Sequence, residues 1–153
     1  MRCLLDTGVL MRMFDASDPH RPEILDCFRL MFRLKYQPAI AIQNAVEFWN
    51  VMTRPAIARG GYGLSVAMTE QRLTHVQRRC ELLAETAAVF TEWKRLAAAH
   101  HVIGKAAHDA RLVAQMLVSQ IPLILTFNTI DFRRYPGITA LTPSEFLQSA
   151  AVP

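Results

Sequence analysis

The sequence predicts an α/β fold, a small parallel β-sheet with helices on both faces. Three observations lead there. Four short apolar runs recur at residues 2–6, 39–42, 122–126 and 138–142. The segments between them carry apolar residues at helical spacing, and strands separated by helices pair in parallel. The chain has 153 residues, 52% of them hydrophobic, which is enough for one domain, spanning residues 1–153, with a real core.

The elements follow in order. "RCLLD" suits a buried strand, and "TGVLMRMF" continues as a helix that Thr7 can cap. Pro22 opens a helix reaching Lys35, with Ile24, Leu25, Phe28, Leu30, Met31 and Phe32 as its apolar residues. "AIAI" (39–42) is a second strand, and "QNAVEFWNVMTR" a helix stopped before Pro55. "ARGGYG" reads as a connection, and an amphipathic stretch runs from Leu64 to about Leu83. Thr91 can cap "EWKRLAAAHH", and Gly104 separates it from "KAAHDARLVAQMLVSQ". "PLILT" is a strand, "NTIDFRRY" a turn with a short helix, and "ITALT" the last strand, with Pro143 opening a final short turn.

Composition narrows the function classes. Charged residues make up 20%, as in a globular and not a disordered protein. The apolar runs are far shorter than the roughly 18 residues that span a bilayer, and the N-terminus lacks a signal-peptide layout, so a cytoplasmic protein is expected. Cys3, Cys27 and Cys80 are an odd number without metal-ligand spacing and read as buried structural thiols. A net charge of +4 is compatible with a nucleic-acid partner without requiring one.

In parallel sheets, ligands gather beyond the carboxyl ends of the strands, so functional residues are sought there. Asp6 ends the first strand, Glu47 lies one turn into the helix after the second, and Asn128 and Asp131 follow "PLILT". Asp109 precedes Leu112, Val113, Met116 and Leu117 by helical spacings, so it points to the core side of its helix, where a carboxylate is costly unless paired or metal-bound. Glu47 shares a polar stripe with Gln43, Asn50 and Arg54, which also fits a solvated helix face. Carboxylates gathered together repel, and divalent cations relieve the repulsion. An all-oxygen donor set selects Mg²⁺, with Mn²⁺ as a substitute, over Zn²⁺. Such ions clamp phosphate oxygens and activate water, so an acidic pocket in a basic protein points to phosphodiester hydrolysis.

These residues also carry a family resemblance. "LLDTGVLMRMF", "AIQNAVEFWNVMTRP", "HDARLVAQML" and "LILTFNTIDFRRYPGITALTP" resemble a PIN-domain ribonuclease, in particular the toxin of a VapC-type toxin–antitoxin pair, from residue 2 to about residue 147. The resemblance implies a three-layer sandwich, Mg²⁺-dependent cleavage of RNA, a cognate antitoxin and a homodimer. It places the metal-binding and catalytic acids at Asp6, Glu47 and Asp109. A fourth acid is frequent after the penultimate strand, where this chain offers the amide of Asn128 or the carboxylate of Asp131. Gly8 stands where the family often has asparagine, removing a side chain that could orient Asp6.

Asp6-Thr7-Gly8 also reads like an aspartic-protease strand, but that fold needs alternating strands and hairpins, and this chain is mostly helical after Gly8. Arg12, Arg54, Arg59, Arg111, Arg133 and Arg134 offer phosphate-binding forks, with Arg54, Arg133 and Arg134 favoured as RNA-binding because they lie beside site motifs. His100, His101 and His108 read as surface or capping residues, and Trp49 and Trp93 as core. A binding module that retains the acids to dock an antitoxin, an RNA or an ion without cleavage is the alternative function.

Overall fold

The computed structural model describes residues 1–58 and 60–149. Five strands form one all-parallel sheet: β1 (Arg2–Leu5), β2 (Gln37–Ile40), β3 (Glu81–Leu82), β4 (Leu123–Leu125) and β5 (Thr139–Leu141), in the order β3-β2-β1-β4-β5. The helices are α1 (Thr7–Met13), α2 (Arg21–Arg33), α3 (Ile42–Thr53), α4 (Val66–Gln77), α5 (Ala87–Ala99), α6 (Ala106–Val118) and α7 (Pro143–Ser149), with a 3₁₀ turn at Thr129–Phe132.

Strand alternation divides the core into two layers. Cys3, Leu5, Leu123 and Leu125 face one side, where Leu10, Met31, Phe48, Val76 and Phe146 bring α1, α2, α3, α4 and α7 onto the sheet. Leu4 and Ile124 face the other, against Leu96 of α5 and Leu112, Val113 and Met116 of α6. The three-layer architecture follows. The central strand β1 lies between β2 and β4, so the chain winds outward in one direction through β2 and β3 and in the other through β4 and β5. The point of reversal, between the carboxyl ends of β1 and β4, is where such sheets bind ligands.

Several expected boundaries move. β2 starts earlier than 39–42, and Ile42 already belongs to α3. The turn comes at Ala41, whose N–H donates to the Asn44 side chain at 2.9 Å. The tail of the expected 64–83 amphipathic stretch contains β3, a two-residue edge strand with both side chains exposed, too short to show any alternation. α5 begins at Ala87 rather than after Thr91, whose hydroxyl bonds back to the Ala87 carbonyl at 3.2 Å. Residue 143 opens a helix, not a turn. Thr142 and Glu145 cap it reciprocally, Thr142 N–H donating to Glu145 Oε2 at 2.8 Å and Glu145 N–H to Thr142 Oγ1 at 3.2 Å. Among the described residues no helix is long and apolar enough to cross a membrane.

All three cysteines are free and buried, as expected, and desolvation pushes each thiol up to about 12. The thiolate is the reactive form, so a disulfide reagent at pH 8 should label the native protein at least ~100-fold more slowly than the protein in denaturant. Rapid labelling of native protein would contradict this packing.

Candidate active site

Asp6 stands at the point of reversal and is held by backbone first. Its N–H donates to the Leu125 carbonyl at 3.0 Å, and its own carbonyl accepts from Val9 at 3.0 Å and Leu10 at 3.2 Å, starting α1. Asp6, not Thr7, is therefore the residue that precedes the helix as its N-cap. Its carboxylate accepts a 2.7 Å hydrogen bond from the hydroxyl of Thr126, a fully buried residue just past β4. Burial raises the proton affinity of Asp6; the Thr126 hydroxyl and the Thr7 amide oppose that, and the negative charge of Glu47 adds to it.

Thr7 serves a second acid. Its hydroxyl donates to Glu47 Oε2 at 2.8 Å and accepts from the Asn44 amide at 3.2 Å. The other Glu47 oxygen accepts from Gln43 Nε2 at 2.8 Å. Gln43 also donates to the carbonyl of His108 at 3.1 Å and accepts from Arg111 at 2.9 Å, while Arg111 pairs with Glu85. The Gln43 end of the polar stripe is therefore a joint between α3 and the start of α6, while Asn50 further along is exposed.

That joint sets the position of Asp109, the residue after His108. Its carboxyl is pushed up to about 6, first by burial and then by the negative charges of Asp131, Asp6 and Glu47. Three carboxylates from three other segments thus lie within electrostatic reach of Asp109. Asn128 donates through its side chain to Asp131 and through its backbone to Thr126 Oγ1 at 3.0 Å. The amide and the acid of this segment form a pair, with Asp131 contributing the charge and Asn128 orienting it.

Donor chemistry fits a hard divalent cation, because every candidate ligand is oxygen and the mutual repulsion is what such an ion removes. Among the described residues, no three Asp, Glu, His or Cys side chains are arranged to hold an ion as they stand.

The sequence of residues 3–138 matches the family model of the PIN domain. The chain belongs to the PIN-domain family. Its fold is similar to VapBC2 from Rickettsia felis bound to a DNA fragment from their promoter (TM-score 0.71, 14% identity, 93% of this chain and 98% of that one). It is also similar to VapBC-1 from nontypeable Haemophilus influenzae (0.66, 12%, 94% and 99%) and to a toxin–antitoxin complex from Klebsiella pneumoniae (0.61, 21%, 92% and 97%). No curated protein sequence matches the chain.

Within this PIN domain the other predicted residues scatter. Arg133 and Arg134 are exposed just past the 3₁₀ turn, and Arg54 closes α3 with its carbonyl accepting from Gly63 at 2.8 Å. Arg59 lies outside the described residues. Trp93 is half-buried, its indole N–H donating to Ala107 at 3.0 Å, and Trp49 is half-buried too. His100 ends α5 and packs edge-on against Tyr135, while His108 is exposed. Sequence reasoning missed Thr126 and the relay through Thr7 and Asn44. The available signal was a threonine at each of two adjacent strand ends, next to the acids.

Proposed function

We propose that this PIN domain is a Mg²⁺-dependent endoribonuclease, and that it acts as the toxin of a toxin–antitoxin pair. The observation that carries the reading is the convergence of Asp6, Glu47 and Asp109, with Asp131, at the reversal point of the sheet. Asp6, Glu47 and Asp109 would hold the ion. A bound Mg²⁺, or Mn²⁺ in its place, supplies charge neutralisation and activation of water for in-line attack at phosphorus.

The chain's own residues do the rest. Thr126 aims Asp6, Thr7 and Gln43 fix both oxygens of Glu47, and Asn128 orients Asp131 toward the fourth position. Their hydrogen bonds keep the carboxylates from turning away from one another, which lowers the ordering cost when they close. An antitoxin partner is supported by the solved toxin–antitoxin complexes of the same fold. A homodimer is supported by apolar side chains that α3 and α5 leave exposed, Val46 and Phe90 at 63% each.

The purified protein should cleave RNA in Mg²⁺, and excess EDTA should slow cleavage at least ~100-fold, with restoration on adding the metal back. Cleavage that survives chelation would overturn the metal mechanism. The second reading, a module that binds without cutting, is favoured by the neutral Asn128 in the fourth-acid segment. Mg²⁺ binding with no cleavage of any RNA would select it.

A further inference from the structure

Beside the acids stands one cation whose position is built from three sides. The Arg12 guanidinium lies over the ring of Phe127, 4.4 Å from its centroid. Its Nε pairs with Asp18 at 3.3 Å, and its Nη1 donates to the Gly8 carbonyl at 3.1 Å. Asp18 is itself held, accepting from the His20 N–H at 2.8 Å, and the His20 ring leans on Phe127 at 4.9 Å. Phe127 sits between Thr126, which aims Asp6, and Asn128, which orients Asp131. One tripeptide therefore ties the cation to the acidic site. The Arg12 side chain keeps 35% of its surface exposed, so the guanidinium can be reached from solvent.

Gly8 explains how the cation and the acid come to share a space. A Cβ built on Gly8 would lie 3.1 Å from Arg12 Nη1 and 4.0 Å from Asp6 Oδ2. A side chain at position 8 would share that gap with the guanidinium, which would have to give by a few tenths of an ångström. We propose that Arg12 receives a phosphate of the RNA strand beside Asp6, and that Gly8 is the residue that leaves it room. This rests on the part of the proposed function that has the acidic site engage RNA, and not on cleavage. The chemistry suits it: a planar fork matches phosphate oxygens, stacking on Phe127 fixes its plane, and a cation offsets the repulsion between an anionic strand and a carboxylate pocket.

The test uses the Asp6→Asn protein, so that binding is read without cleavage, and a randomised single-stranded RNA pool carrying a fluorescent label. Adding Arg12→Gln should weaken binding ~10-fold and reduce the slope of log affinity against log salt by about 0.7, as loss of one phosphate contact to a single strand predicts. Arg12→Lys should fall between. Gly8→Ala should weaken binding in the same direction while its melting temperature stays equal or rises, because alanine favours the helix and the displaced atom ends a flexible side chain. Arg29→Gln, on α2 and paired with Asp26, serves as a remote charge control and should leave the binding nearly unchanged.

Unchanged affinity and salt slope in Arg12→Gln would overturn the inference. So would weakened binding by Arg12→Gln with a normal Gly8→Ala, which would make Arg12 a brace for α1. A pool that the Asp6→Asn protein does not hold at low salt overturns it as well. Binding that depends on Arg12 in a protein that cuts no RNA would remove the nuclease reading and leave this inference standing. Cleavage by the parent with binding independent of Arg12 would do the reverse.

Discussion

Asp109→Asn should abolish RNA cleavage and at the same time make the protein more stable. The carboxylate at 109 is raised from 3.8 to about 6 because it is partly desolvated beside Asp131, Asp6 and Glu47. A folded-state value above the unfolded one means that the folded protein binds the proton more tightly. The resulting stability is fully present below 3.8 and is lost as the pH rises through about 6. At neutral pH the parent therefore carries a strained charge that the amide removes. Allowing for solvent screening at a half-exposed group, the gain is about 1 kcal/mol, or ~2–4 °C in melting temperature. The gap between variant and parent should be widest above pH 6 and vanish below 4. Cleavage should drop at least ~100-fold, since a neutral amide replaces an anionic ligand. Saturating Mg²⁺ should stabilise the parent more than the variant and close the gap. A variant less stable than the parent at pH 7.5 would show that the acids do not repel as described.

Thr126→Val should have the second-largest effect and should act through another residue. Valine matches threonine in shape, so the packing past β4 is kept, but the hydroxyl serves both Asp6 Oδ2 and the Asn128 N–H. Losing these bonds in a buried position costs about 1–3 kcal/mol. Asp6 would lose its orienting partner, and cleavage should fall ~10–100-fold, as is usual for residues that position a metal ligand. The pH profile separates positioning from simple damage. The Thr126 hydroxyl lowers the proton affinity of Asp6 against burial, so its removal should move the acid limb of the cleavage profile to higher pH. Thr126→Ser should restore both rate and profile. A variant slowed without any change in profile would reduce Thr126 to a packing role.

Both predictions depend on contacts between residues far apart in the chain, and that is where the sequence reading thins out. The four short apolar runs and the large helices were legible because burial leaves an apolar run or an apolar face that the residues report directly. β3 was not, because two exposed residues on a sheet edge carry no period. Nor was the start of α5, where Thr91 offered a better-looking cap than the residues that begin the helix. Thr142 and Glu145, three residues apart, carry a capping signal for α7 that is legible in the sequence.

The site divides the same way. Acids just past strands are a local pattern, and a parallel sheet concentrates ligands at the carboxyl ends of its strands, so Asp6, Glu47, Asp109 and Asp131 could be nominated from the chain alone. "LLDTGV" could not reveal by itself that Thr7 serves Glu47, because that partner lies on another helix. The apolar pattern determined the class of fold, and the strand-end acids named the residues on which the proposed chemistry rests. Tertiary structure alone decided which hydroxyl holds which carboxylate, and that Phe127, just beyond β4, lies against Arg12 of α1. Hydrogen bonds and charges act over a few ångströms in space, and only the strand order β3-β2-β1-β4-β5 brings those residues that close.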